Sequence, residues 1–262
     1  MLGQIDWSRP WLDAVRPAWA SLDPAAGLLP MLNGGARARG LRNWREQPLC
    51  FVPQAELPAG VAYEAYIGAE GRVPTRENLH DFFNALVWLS FPAIKRQLNA
   101  MQAAQIAASG VGPARGPARD ALTIFDENAA ILVARDASIG AALRAHDWHG
   151  ALVAPRARWW REVQLWSFGH ALMEKLVAPR KAITAHVYLL QAPASYFEAD
   201  DAGQRAWIDA TVSARLHSAG ISTADFTPLP VLGVPGWWPG QDAAFYADTQ
   251  VFRPKRQTEA AC

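Results

Sequence analysis

The chain has 262 residues, with 25 Lys and Arg against 24 Asp and Glu, for a formal net charge of +1. Charged residues make up 19% and hydrophobic residues 51%. That balance excludes a disordered chain and lacks the basic excess of a dedicated nucleic-acid binder. A chain of this length buries about three-quarters of its unfolded surface, so its core needs neither disulfides nor a metal.

Residues 1–60 are broken by Pro10, Pro17, Pro24, Pro30, Pro48, Pro53 and Pro58. They read as an irregular wrap with one short helix around Trp11 to Leu22, bent at Pro17. Residues 61–67 (VAYEAYI) carry β-formers, and Gly68 to Gly71 reads as a turn. A hairpin over 61–73 is therefore expected. Asn78 or Thr75 caps the clearest helix, in which Leu79, Phe82, Phe83 and Leu86 recur at helical spacing until Pro92. A second helix is expected over 93–108. Residues 109–119 form a Gly/Pro/Arg loop.

Residues 121–125 and 130–134 read as two strands joined by a turn at Asp126-Glu127-Asn128. Residues 139–146 form a short helix, 151–153 a short strand, and 169–177 a helix stopped by Pro179. Thr184 to Leu190 reads as a strand and Ala206 to Ser218 as an amphipathic helix. The Pro- and Trp-rich residues 219–262 read as an irregular tail. The expected class is α+β: a helix-rich single domain over 1–262 with a small antiparallel sheet, a core at 61–218, and irregular Trp/Pro-rich ends.

Cys50 and Cys262 are too few for a disulfide framework. The start, MLGQIDWSRPWLDAV, lacks a basic region followed by an apolar run, so no signal peptide is expected. No apolar stretch approaches the roughly 18 residues of a membrane span. The expected location is the cytoplasm.

Four polar constellations could carry chemistry. In Asn78-Leu-His80-Asp81-Phe-Phe-Asn84, His80 and Asn84 share a helix face, which Trp88, Lys95 and Asn99 extend if the Pro92 kink is mild. Imidazole beside carboxylate suits a metal site or general acid/base work. The plain alternative is a capped helix with His80 in water. In Gly169-His170-Ala-Leu-Met-Glu174, His170 and Glu174 are again four apart. That spacing fits two metal ligands, or an ordinary helical pair worth a few tenths of a kcal/mol.

The third constellation is Arg119-Asp120, Thr123 and Asp126-Glu127. Arg115 and Arg119 could grip a phosphate or carboxylate, while Asp126 to Asn128 is ordinary turn chemistry. The fourth is Thr184-Ala-His186, with Thr184 and His186 on one strand face. Trp/Arg clusters at 42–45 and 156–161 match single-stranded nucleic-acid grips, but Arg lying over buried Trp is the simpler reading. There is no GxxxxGK[ST], GxGxxG, GxSxG or CxxC.

The strings NLHDFFNALVWLSFPAIKRQLN (78–99), RDALTIFDEN (119–128), FGHALMEKLVAP (168–179) and TAH (184–186), in this order, resemble DUF3025, a proteobacterial family of unknown function. The resemblance covers roughly residues 40–195. It implies a bacterial, cytoplasmic, single-domain protein, and it brings no functional residue with it.

The resulting expectation is one converging site with His80, Asp81, Asn84, Asp120, His170 and Glu174 as catalytic groups. Arg119, Lys95, Thr123, Trp88 and His186 would bind ligand. A divalent metal such as Zn, Mn or Fe is a candidate cofactor, with His80, His170, Glu174 and His186 as candidate ligands. The leading function is a hydrolase-type enzyme, metal-dependent or not, on a small phosphate- or carboxylate-bearing substrate. A ββα-metal nuclease is a weaker variant, since that site wants its His on the hairpin. The alternative is a non-catalytic protein- or nucleic-acid-binding module. The sequence sets no oligomeric state.

Overall fold

The computed structural model describes residues 1–109 and 117–255. Most of the Gly/Pro/Arg loop, with Arg115, lies outside the described residues, as does Cys262. The N-terminal segment is more regular than its prolines suggest. It holds helices α1 (Arg16–Ala20) and α2 (Leu28–Ala38) and strand β1 (Cys50–Pro53). Pro10 opens a 3-10 turn and Pro17 lies in the first turn of α1, where a missing N–H costs nothing.

The hairpin expected over 61–73 does not form. Tyr63–Glu70 is helix α3, closed by Gly71 at φ 67°, the left-handed cap that glycine adopts without strain. A Cβ on Gly71 would also stand 2.6 Å from the Pro48 carbonyl oxygen. The next residues, β2 (Arg72–Thr75), pair in parallel with β1.

Helix α4 (Leu79–Ser90) begins where the Asn78 side chain accepts the Asp81 backbone N–H at 2.8 Å. Its residues from Asp81 to Ser90 are all buried, so α4 is a central helix that is partly exposed only at Leu79 and His80. Pro92 ends it and opens α5 (Pro92–Ser109). The backbone N–H groups of Ala93 and Ile94 donate to the Asp209 carboxylate at 3.0 and 2.8 Å. A distant residue thus caps α5, and burial raises the Asp209 pKa to about 6.

The first strand of the expected 121–134 hairpin is helix α6 (Pro117–Asn128); the second is β3 (Ala129–Ala134). Helix α7 (Ser138–Ala145) follows as expected. The strand expected at 151–153 is a π-helical turn, and β4 (Val163–Ser167) lies further on. The chain continues through α8 (His170–Lys175), β5 (Thr184–Gln191), α9 (Ala194–Glu198) and α10 (Asp201–Ala219). The tail adds β6 (Phe226–Pro230) and α11 (Ala243–Tyr246).

The main sheet runs β4-β3-β5-β6. It is mixed rather than antiparallel, because β3 and β5 are parallel, with Ile131 opposite Tyr188. Every residue of β3 is buried, as a near-continuous apolar strand requires. β6 is an edge strand, where Pro228 and Pro230 are tolerated. Helix outweighs strand, and the class is α+β as expected. One apolar cluster reaches from Ile5 to Phe252, so both ends contribute to the core. Among the described residues no helix is long and apolar enough to cross a membrane.

Candidate active site

Helices α3, α4, α5, α6 and α8 meet around a cleft of about 380 Å³. Tyr63 and Glu64 come from α3, Arg76 from the residue after β2, and His80, Asp81 and Asn84 from α4. Gln102 comes from α5, Arg119, Thr123, Asp126 and Glu127 from α6, and His170 from α8.

At one end His80 bridges two helices. Its Nδ1 is 3.0 Å from Glu174 Oε2, and its Nε2 is 3.1 Å from His170 Nε2. A carboxylate can only accept, so His80 Nδ1 carries a proton and its Nε2 is the basic atom. Burial depresses the His170 pKa to about 4, which leaves that ring neutral at pH 7. With His80 neutral, the His170 Nε2–H donates to His80 Nε2. The two rings meet edge to face at 82°.

His170 reaches this position because α8 starts hard against the end of α6. The Gly169 N–H donates to the Ala129 carbonyl at 2.7 Å, and a Cβ on Gly169 would stand 2.4 Å from the Glu127 carbonyl oxygen.

Beneath the cleft, Lys95 Nζ donates to Asp126 Oδ1 at 2.5 Å and to Asn84 Oδ1 at 2.8 Å. The Asn84 amide then donates to the Tyr63 hydroxyl at 3.1 Å. Burial alone would raise the Asp126 pKa, but the Lys95 charge and then His170 outweigh it, and the carboxyl stays below its usual range. Burial pushes Asp81 up as well. Hydrogen bonds from Arg76 Nε and Nη2, both 2.9 Å, and from its backbone N–H outweigh that and hold Asp81 low. Burial raises the Tyr63 phenol well above 10.

His80, Asp81, Asn84, Arg119, Thr123 and His170 line the cleft, and Glu174 reaches it through His80. Lys95 and Trp88 are buried behind the lining, with Lys95 Nζ 5.3 Å from the Trp88 ring centre. Thr123 is on a helix, not a strand, and its hydroxyl donates to the Arg119 carbonyl. Asp120 is exposed on α6 and His186 is away on β5. There the Asn128 amide nitrogen is 3.0 Å from His186 Nδ1, and Phe226 packs edge-on against the ring. Neither lines the cleft.

Among the described residues no three His, Cys, Asp or Glu side chains stand together as a metal-ligand set. His80, His170 and Glu174 direct their donor atoms at one another instead.

Sequence reasoning missed Tyr63, Glu64, Arg76 and Gln102. It also placed Asp126 in a turn rather than at the buried ion pair. The available signals were Gly71 as a helix cap and the i, i+3, i+4 recurrence of Leu122, Phe125 and Asp126.

Side chains of the Trp/Arg clusters are paired within the fold, with Trp44 and Trp160 still exposed. The Arg45 guanidinium lies 4.7 Å over the Trp44 ring. Trp160 stacks on Trp237 and donates to the Pro235 carbonyl. Arg158 is held by Asp136 and Glu162.

No curated protein and no solved structure matches the chain. A family model described as "Protein of unknown function (DUF3025)" matches residues 49–256. The matched span starts at β1, carries every cleft residue named above and continues through β6 and α11. It covers most of the chain, and the protein belongs to the DUF3025 family.

Proposed function

We propose that this protein is a hydrolase-type enzyme working by acid/base chemistry on a small substrate that carries a carboxylate or phosphate. The observation that carries the reading is the Glu174–His80–His170 chain at one end of a polar cleft. A carboxylate-oriented imidazole is a general base whose basic atom and ring plane are fixed in advance. The cleft volume, about 380 Å³, falls among small-molecule sites. A water that displaces the His170 N–H from the His80 Nε2 lone pair gives its proton to that atom as it attacks, and Glu174 stabilises the imidazolium that results. Arg119 makes no ion pair among the described residues and, with the half-exposed Arg76, supplies positive charge for an anionic substrate group. The reading places this chemistry in the cytoplasm.

The test compares wild type with His80→Ala on 4-nitrophenyl phosphate and on the 4-nitrophenyl monoester of succinate. Wild type should turn over one of them, and His80→Ala should lower the rate by roughly 10²–10⁴-fold with the fold intact. Turnover of neither, or equal turnover by both proteins, would sink the reading.

A further inference from the structure

Glu64 has no part in the reading above, yet it lines the same cleft from a different helix. Its neighbours explain its state. Asp81 is paired with Arg76 and Asp126 with Lys95; Glu64 makes no ion pair among the described residues. Lys95 on α5 and Asp126 on α6 are the charges that face it, one favouring each protonation state. Lys95 is already committed to Asp126 and Asn84.

Asn99, 1% exposed, clamps Glu64 from below. One amide nitrogen donates to Glu64 Oε2 at 2.6 Å and to the Glu64 backbone carbonyl at 2.9 Å. That fixes the side chain and leaves Oε1 without a hydrogen-bond partner among the described residues. A largely desolvated carboxyl with no cation of its own holds its proton to higher pH than an ordinary glutamate. Burial is the largest cause here and brings its pKa up to about 7.

We infer that Glu64 is the proton donor of the cleft, giving its Oε1 proton to the leaving oxygen or nitrogen of the substrate. The inference rests on the hydrolase reading and extends it to the leaving group. Water, in place of the His170 N–H, gives a proton to His80 Nε2 and its oxygen bonds to the acyl or phosphoryl centre. The bond to the leaving atom breaks, both electrons stay with that atom, and the Glu64 proton joins it. Glu64 ends as a carboxylate and regains a proton from solvent, while His80 releases one. Two titratable groups held in opposite states across one cleft are the usual arrangement for such chemistry. The substrate class follows. The leaving group is an alcohol or amine too basic to depart unprotonated, as in alkyl esters, alkyl phosphates or amides.

The experiment uses Glu64→Gln, which keeps the shape and an oxygen for Asn99. Wild type, Glu64→Gln and His80→Ala are assayed on the methyl and 4-nitrophenyl monoesters of phosphate and of succinate. Glu64→Gln should slow the methyl ester by roughly 10²–10⁴-fold and leave the 4-nitrophenyl ester nearly unchanged; His80→Ala should slow both. Equal losses on both esters in Glu64→Gln, or none on either, overturn the assignment.

If wild type hydrolyses none of the four, the hydrolase reading fails, and Glu64 is judged separately by carbon-13 NMR titration of its carboxyl, identified by its absence in Glu64→Gln. A midpoint near neutrality supports a proton-holding Glu64. A carboxyl already ionised at about pH 5, as in an ordinary glutamate, overturns it.

Discussion

Lys95 Nζ lies 2.5 Å from Asp126 Oδ1, with 4% and 8% of the two side chains exposed. The pair joins α5 to α6 under the cleft floor and carries Asn84 and Tyr63 with it. Its net contribution is small, because desolvating two charges offsets their attraction. Removing one partner is a different matter, since it strands a buried charge. Lys95→Met should therefore cost about 3–5 kcal/mol, and the double variant Lys95→Met/Asp126→Leu should recover much of that. Urea denaturation of the two singles and the double gives the coupling directly. Additive losses would show that the pair does not act as a unit.

The His80 tautomer follows from Glu174, an acceptor that faces Nδ1. Glu174 is 40% exposed, so Glu174→Ala should change stability by less than about 1 kcal/mol. The ring should respond more. Proton–nitrogen correlation spectra of the neutral His80 ring should report a proton on Nδ1 in wild type and a shift toward Nε2–H in the variant. A wild-type ring protonated on Nε2 alone would remove the basis for calling His80 Nε2 the base.

His170 and Glu64 tie stability to pH with opposite signs. The unfolded His170 ring titrates near 6.5 and the folded one near 4. Between those values the unfolded chain holds more protons, so the His170 contribution is complete above pH 6.5 and is lost as pH falls toward 4. Integrated over that window it amounts to about 3 kcal/mol. Glu64, raised to about 7, makes the folded state the greater proton holder, and its contribution is lost as pH rises through that value. Wild type sums the two, which largely cancel where their windows overlap. Denaturation series between about pH 4 and 8 should therefore show a nearly flat wild type, a His170→Phe whose stability falls as pH rises toward 7, and a Glu64→Gln whose stability falls as pH drops from 6.5 toward 4. A His170→Phe profile parallel to wild type would contradict the buried, neutral imidazole.

Much of this site is written in local patterns. Asn78 as a cap, the apolar recurrence through Leu86 and the stop at Pro92 locate α4, and with it His80 and Asn84. The four-residue spacing of His170 and Glu174 locates α8. What local pattern does not carry is which partner each side chain finds: His80 and Glu174 are far apart in sequence and joined only by the packing of α4 on α8. Glu64 escaped because VAYEAYI has β-like composition, yet packing on α5 and the Gly71 cap make it helical. Residues 121–125 (ALTIF) failed in the same way, with β-branched content outweighed by the burial of Leu122, Phe125 and Asp126 on one helical face. β6 was hidden by its prolines, which an edge strand accommodates.

Gly169 shows how tightly this packing holds the site. Its backbone, φ −57° and ψ 121°, is open to any residue, so alanine would meet no torsional penalty there. The obstacle is space. A Cβ would lie 2.4 Å from the Glu127 carbonyl oxygen and 2.5 Å from the Asn128 backbone nitrogen, and backbone cannot swing aside as a flexible side chain does. Gly169→Ala must push the start of α8 away from the end of α6, at a cost of about 1–3 kcal/mol for overpacking. Because His170 is the first residue of α8, the same displacement lengthens its 3.1 Å contact with His80. Chemical denaturation should report the stability loss, and the ring resonances of His80 should move in Gly169→Ala and also in His170→Phe. A variant as stable as wild type with unmoved His80 resonances would mean that the α6–α8 junction yields freely, and that the position of His170 is set from elsewhere in the fold.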